Sequence, residues 1–530
     1  MKYKALILAL VFYPFSLLAA TDNQQLQREL QRLQQKTKDL QSQLSQLQKK
    51  LAIPAKKTQA RPKSIKNQPA SRNATPPATI RRETAQPFHS AALTVHALDA
   101  HPEAMEFYPT ALIADEHVVT YIAGTPVVSS PYLGDRPAFD GSDYIVNISS
   151  INRDIRLMQQ RRRLYRAYER IGYPVPHMPI IALSGKAEPI AMLTNPYRGN
   201  ITSDLNLGSS ELDVAAALND KVEAYMSIAY DDAPPLLGGQ RVTNARLFLN
   251  MGFVNIGDLD ESPYYFTAGQ LFAPFGRFSS SMVSSPLTMR LARTKTRPFI
   301  LGYKSQQDTG PFAAVYGFKS DTTLGNSGAG GLNLGYVFSK GDSSGEIGLS
   351  VISSLTDATG MQITGSLPGT TFGGFGSPTN GSERVHKVPG IDVHGNIRFD
   401  RYNLTAEWVG ATEAFRAQDL SFNGQGARPQ ALQLEGAVTF MAFDRPSSAA
   451  IGYQWSKDTL ALNLPNHRFS GVFNISIWKD TVESIEYRHE IDFNRNQFAN
   501  GASPVGLVNA NTLGTGKASD ALLAQIGVYF

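Results

Sequence analysis

The chain has 530 residues, 42% of them hydrophobic, with 44 glycines, no cysteine and a net charge of +5. Its mean hydropathy of −0.22 excludes a helical membrane protein. The missing cysteine excludes disulfides, thiolate metal sites, a cysteine nucleophile and a lipid-modified N-terminal cysteine.

Residues 1–20 read as a secretory signal. Lys2 and Lys4 precede an apolar run from Ala5 to Leu18, and Ala19 and Ala20 offer a small-residue cleavage site. The run is shorter than the ~20 residues a membrane-spanning helix needs.

Residues 22–51 carry a heptad stripe of Leu26, Leu30, Leu33, Thr37, Leu40, Leu44, Leu47 and Leu51. The stripe predicts a coiled coil that joins copies of the chain into a homo-oligomer, or a helix folded against its own barrel. Leucine at both core positions leaves the number of copies open. Residues 52–87 form a proline-rich linker whose many lysines and arginines face one acid, Glu83. Such a segment cannot bury a core. It serves as a solvated spacer, or touches anionic cell-wall polymer by charge.

Residues 88–195 suggest a small mixed α/β periplasmic domain. Val118–Ile122 and Tyr144–Ile148 read as strands. Ser150 can cap a helix from Ile151 to about Ile171, with Asp154 in its first turn. The arginines on that helix, Arg161 and Arg162 among them, face solvent or dock on phosphate, lipid headgroups or a barrel mouth. Whether this domain enters the lumen stays open.

From about residue 200 to 530, alternation replaces helical periodicity. In 222–230, Val222, Ala224, Met226, Ile228 and Tyr230 face one way and Glu223, Tyr225 and Ser227 the other. In 245–253, Ala245, Leu247, Leu249, Met251 and Phe253 share one face, opposite Arg246 and Asn250. The last strand puts Leu522, Ala524, Ile526, Val528 and Phe530 on one apolar face. A terminal aromatic on such a strand resembles the signal read by the barrel assembly machinery.

Short turns are expected at Asn219-Asp220, Gln307-Asp308, Asp400-Arg401, Arg445-Pro446 and Lys479-Asp480. Long connections are expected near 273–297, 355–388, 412–430 and 493–516. Segments beginning near 201, 211, 221, 243, 264, 298, 311, 330, 345, 389, 402, 432, 448, 467, 482 and 520 make about sixteen strands. The expected fold is all-β: a transmembrane antiparallel barrel of about sixteen strands in outer-membrane lipid, with both termini in the periplasm. A barrel of that size leaves an aqueous channel.

Lumen candidates are Asp213, Glu223, Arg246, Asp392, His394, Arg398, Glu407, Glu435, Glu486, Arg488 and Glu490. Opposed charges across a pore orient polar solutes or filter ions. The segment Gly269–Phe278 ends a strand at Pro274 and Gly276. With Arg277 at its start, a loop carrying Arg290, Arg293, Lys295 and Arg297 folds inward to narrow the pore, or stays outside. No hydrolase elbow, zinc-protease motif or phosphate loop occurs, so no enzyme, cofactor, metal site or nucleic-acid partner is expected.

The layout of coiled coil, basic linker, Gly124–Gly134, Phe139–Asn152 and Gly269–Gly276 resembles the LbtU-type siderophore porins, which are similar to the FslE and FupA outer-membrane iron-uptake proteins. That resemblance implies uptake of ferric siderophore, or of ferrous iron, without a recognisable energy-coupling box. Ligand contacts would then fall in the outer loops, where Phe372, Phe375, Arg384, Phe415, Arg416, Phe422 and Arg428 offer aromatic and cationic groups. The other expectation is a general or anion-preferring trimeric porin whose coiled coil tethers it to the cell wall.

Overall fold

The computed structural model describes residues 118–122, 125–129, helical positions between 154 and 162, and, apart from short gaps, 180–231, 246–361, 385–499 and 513–529. The signal segment, coiled coil, linker, Tyr144–Ile148 strand and Phe530 lie outside the described residues.

Two short strands precede the barrel, β1 (Val118–Ile122) and β2 (Thr125–Ser129), paired antiparallel. Helical positions between 154 and 162 form α1. The barrel then closes sixteen strands.

β3 comprises Ile180–Ala187 and Ile190–Asn195. β4 comprises Thr202–Asn206 and Glu211–Ala217. Then come β5 (Val222–Asp231), β6 (Arg246–Ile256), β7 (Tyr264–Phe272) and β8 (Phe299–Lys304). Next are β9 (Gly310–Lys319), β10 (Gly328–Lys340), β11 (Ser343–Ile352) and β12 (Gly390–Phe399). The last six are β13 (Tyr402–Ala411), β14 (Gln430–Ala442), β15 (Arg445–Lys457), β16 (His467–Ile475), β17 (Thr481–Ile491) and β18 (Ala518–Tyr529).

Each strand pairs antiparallel with the next. β18 closes the sheet on β3 in one register, from Tyr529↔Lys186 to Asp520↔Asn195. Closure removes every unpaired edge, which a sheet in hydrocarbon cannot tolerate. Beyond the end of β18, β2 lies parallel to β3, with Val127 opposite Ile181.

The barrel therefore starts at Ile180, inside the segment expected to be a periplasmic domain. The segments expected to begin at 201 and 211 are one strand, β4. The sequence hides both because each is broken in the middle. β3 breaks at Glu188-Pro189, where proline has no N–H for the ladder. β4 breaks at the same level, at Gly208, whose φ is +56° and whose missing Cβ leaves room for the Glu188 carbonyl.

Outward faces are apolar as alternation predicts. Met226, Val393, Ile397, Leu404, Ile451, Ile485, Leu522 and Ile526 are all exposed. Tyr264, Phe399, Tyr402, Phe443 and Trp478 flank the short turns and are exposed too, as an aromatic girdle at a membrane interface would be.

Two local details differ from the sequence reading. In β6, Ser227 faces Met251 but Ile228 faces Leu249, so Asn250 is an extra bulged residue. The bulge reverses the faces along the strand. Leu247 and Leu249 stay outside, while Met251 and Phe253 turn inward and are buried. Arg445-Pro446 is not a turn; the turn is Phe443-Asp444, both at positive φ, with Arg445 paired to Ala442.

Candidate functional site: a loop-filled lumen

In most strands the inward-facing residues are the buried ones. Glu223, Asp392, His394, Glu407, Glu435 and Glu486 are all nearly inaccessible. A lumen holding only water would leave such side chains wet. Here protein fills much of it, chiefly the connection between β7 and β8.

That connection turns inward at Gly276, whose φ is +81° and where a Cβ would sit 2.3 Å from the Phe278 ring. It carries one short helix, α2 (Leu287–Ala292). Phe275, Phe278, Leu287 and Leu291 pack with Ile352, Leu355, Val409 and Leu460 in one apolar cluster. The inward fold of the 273–297 loop is thus what the structure has.

The wall holds this loop through its backbone. Glu407 Oε1 accepts the N–H of Arg277 at 2.6 Å and of Phe278 at 2.8 Å, and its Oε2 accepts Thr288 Oγ1 at 2.8 Å. Glu435 accepts Ser280 Oγ at 2.8 Å and the Ser281 N–H at 2.6 Å. Glu486 accepts the Ser284 N–H at 2.8 Å and the Ser284 hydroxyl. Gln454 Oε1 accepts the Leu287 N–H at 2.7 Å, and Gln433 Nε2 donates to the Ser279 carbonyl at 2.8 Å. Carboxylates accepting several N–H donors are well satisfied without a cation.

These acids lie under the loop rather than facing a solute.

α2 turns Leu287, Thr288, Leu291 and Ala292 to the wall, and all four are buried. Arg290, on the opposite face, is exposed, and among the described residues its guanidinium makes no hydrogen bond or ion pair. The nearest charged wall groups are Glu490, Arg488 and Arg468. Arg468 is 0% exposed; its Nε donates to Glu490 at 2.8 Å and its Nη1 to the Ser285 carbonyl at 2.8 Å. Arg488 Nε lies 3.2 Å from the same Glu490 oxygen. Tyr197 donates to the other Glu490 oxygen at 3.3 Å. Three guanidinium groups therefore gather around one carboxylate.

The other loop cations are engaged. Arg277 Nε lies 3.5 Å from Glu346. Arg293 sits 4.5 Å over the Phe272 ring. Lys295 donates to Asn250 Oδ1 at 2.7 Å, and Arg297 reaches Gln270 at 3.4 Å.

On β12, His394 Nδ1 lies 2.6 Å from Asp392 Oδ1 and its Nε2 lies 3.8 Å from Glu346. Gly348 leaves room for that ring, since a Cβ there would come within 2.2 Å of Nε2. Asp392, His394 and Glu407 each bring a ligand-capable atom within 4.8 Å of the others. Glu407 is already taken by the loop, and the His394–Asp392 separation is a hydrogen bond, so this trio reads as part of the clasp. Arg398 is half-buried lower on the same inward face. Arg246 starts β6, with its side chain outside what is described. Asp213 accepts the Tyr225 hydroxyl.

Among the outer-loop candidates, Phe372, Phe375 and Arg384 lie outside the described residues. Phe415 is buried, and Phe422 packs edge-on against Phe493 at 5.6 Å. Arg416 and Arg428 are exposed, Arg428 donating to the Ala411 carbonyl at 3.0 Å. The sequence reading passed over Arg468, Gln433, Gln454 and the loop serines. Their signal was only inward parity on a strand, or position in the loop.

A closed barrel of this size with an apolar outer band is an outer-membrane β-barrel. Among solved structures the chain is similar to an anion-selective porin from Comamonas acidovorans, at 11% identity, a TM-score of 0.43, and 67% of this chain against 100% of that one. It is also similar to the outer-membrane channel DcaP of Acinetobacter baumannii, at 12% identity, a TM-score of 0.42, and 68% of this chain against 99% of that one. No family model matches the chain. A UPF0422 protein of Legionella pneumophila is 71% identical over 445 residues, 84% of each chain. A UPF0422 protein of Coxiella burnetii is 35% identical over 405 residues, 76% of this chain and 83% of that one. At that identity and coverage, the chain belongs to the UPF0422 family.

Proposed function

We propose that this protein is an outer-membrane channel that favours anionic solutes. The observation that carries the reading is Arg290, exposed on the inward loop and, among the described residues, unpaired, beside Arg468 and Arg488, which share the carboxylate of Glu490. The acids that would oppose an anion, Glu407, Glu435 and Glu486, are covered by the loop they hold. Fixed positive charge at a constriction attracts anions and repels cations.

Reversal potentials across a planar bilayer in a salt gradient test this. Anion preference is expected, and cation preference or no conductance would remove the reading.

Uptake of ferric siderophore is the more specific form, favoured by the resemblance to LbtU-type siderophore porins. Such a ligand is commonly anionic and bulky, and Arg290, Arg416 and Arg428 are exposed to it. Iron-55 accumulation from ferric siderophore and from ferrous salt, by cells with and without the protein, tests this form. Unchanged uptake of both leaves the general anion channel. In this reading the short-turn end is periplasmic, residues 22–51 join copies of the chain, the basic linker contacts the cell wall, and the terminal strand is read by the barrel assembly machinery.

A further inference from the structure

One sector of the inner wall has the wrong chemistry for a wet lumen. Tyr225 on β5, Met251 and Phe253 on β6 and Tyr265 on β7 all point inward and are buried. They stay dry because α1 lies on them: Ile155, Leu157 and Met158 join the same apolar cluster.

Polar contacts fix the position of α1. Asn255 Nδ2 donates to the Asp154 carbonyl at 3.1 Å and to Glu223 Oε1 at 3.0 Å. Arg161 donates to the Gly257 carbonyl at 2.6 Å and pairs with Glu223 at 3.3 Å. Arg162 donates to the Gln306 carbonyl at 3.0 Å. Gly257 follows β6 and Gln306 follows β8, so both lie in short turns. α1 thus lies across the short-turn mouth of the lumen, from β5 towards β8.

The dock is imperfect in one respect. Asp154 is buried, and among the described residues it makes no ion pair. Thr267 Oγ1 lies 3.2 Å from Asp154 Oδ2 and 2.8 Å from Asn255 Oδ1. A hydroxyl has one proton for these two acceptors. Asp154 Oδ1 accepts the Ile155 N–H at 2.8 Å, yet burying a carboxylate with no ion pair still raises the energy of the docked state relative to a hydrated one.

We propose that α1 is a displaceable plug. The wall of Glu223, Asn255, Thr267, Tyr225 and Phe253 is its binding site, and its departure opens the short-turn mouth. This rests on the channel reading for its conductance readout alone.

The absence of native cysteine allows a clean test in the full chain. Met158→Cys, at a position 1% exposed, reports docking by its rate of maleimide labelling. In that background, Glu223→Arg repels Arg161, Arg161→Glu repels Glu223, and the double exchange restores an opposite pair. Arg162→Ala is a milder variant that removes the Gln306 contact and leaves the Arg161–Glu223 pair in place. Heat-modifiable electrophoretic mobility identifies folded barrels.

Each single reversal is expected to speed labelling several-fold and raise single-channel conductance, with the double exchange returning both towards wild type and Arg162→Ala falling between. Folded variants with wild-type labelling and conductance would overturn the plug. Labelling that rises and is rescued, in a protein that never conducts, would support the plug and remove the channel reading.

Discussion

Glu407 accepts the backbone N–H of Phe278 at 2.8 Å, joining the wall of the barrel to the loop that narrows it. The contact spans 129 residues of sequence. Because the bond is to backbone, this contact itself does not depend on which side chain position 278 carries.

Glu407→Ala strips the acceptor from Arg277, Phe278 and Thr288 together. Each buried donor left unpaired costs roughly 1–3 kcal/mol. The loop should loosen, with higher and noisier single-channel conductance and a lower temperature of barrel unfolding on gels. Glu407→Gln, which keeps one acceptor oxygen, should lie between.

In the anion-channel reading Arg290 sets ion preference, and among the described residues its guanidinium makes no hydrogen bond or ion pair. Arg290→Ala should lower the anion-to-cation permeability ratio, and Arg290→Glu should lower it further or reverse it. Barrel stability should be unchanged in both. Reversal potentials in a salt gradient read the first effect and heat-modifiable mobility the second.

Arg468 and Glu490 behave differently because they are buried together, with 2.7 Å between Nη2 and Oε1. Removing one partner of a buried pair costs about 3–5 kcal/mol. Glu490→Gln should therefore destabilise the barrel and, in the molecules that fold, strengthen anion preference. Arg468→Met should destabilise it too, with weaker anion preference.

Burial raises Asp154 from 3.8 to about 6 against the opposing pull of the Ile155 N–H and Thr267. Among the described residues, Glu223 and Tyr265 face this helix from the wall, and Arg161 and Arg162 lie on the helix itself. A carboxyl whose docked pKa is raised contributes stability below its free pKa and loses it as pH rises through the docked value. The plug should hold tightest below about pH 4, loosen up to about pH 6, and change no further through this group. A shift of that size corresponds to about 3 kcal/mol. Labelling at Met158→Cys between pH 4 and pH 8 measures it, and Asp154→Asn should keep the plug docked throughout with the pH step gone.

Ile451 is 75% exposed on the outer face of β15. Arginine there should cost up to about 2–4 kcal/mol in a bilayer. Ile451→Arg should fold poorly in lipid vesicles, whereas Ser448→Arg, inward and 0% exposed on the same strand, should fail instead by crowding the lumen. Denaturant titration in vesicles and in detergent separates the two, since only the first depends on lipid.

The sequence by itself determined the barrel. Alternation in β5, β12, β17 and β18 requires one apolar face and one polar face, and short connections alternating with long ones require antiparallel closure. Those are local properties of single strands and turns, legible without any partner. The tertiary structure decided what stands inside. Glu407, Glu435 and Glu486 were legible as inward acids, but whether they meet water or loop amides depends on residues more than a hundred positions away. Asn250 reverses the faces of β6 through a register with β5 that neither strand encodes alone. Glu188 and Gly208 break two strands at one level, and only their contact marks the breaks as a shared kink. Arg161 and Arg162 read by default as a solvated helix face until the Gly257 and Gln306 carbonyls are brought beside them. Strand parity is written in each residue's neighbours, whereas the filling of a lumen is a long-range competition among water, loop and helix for the same wall.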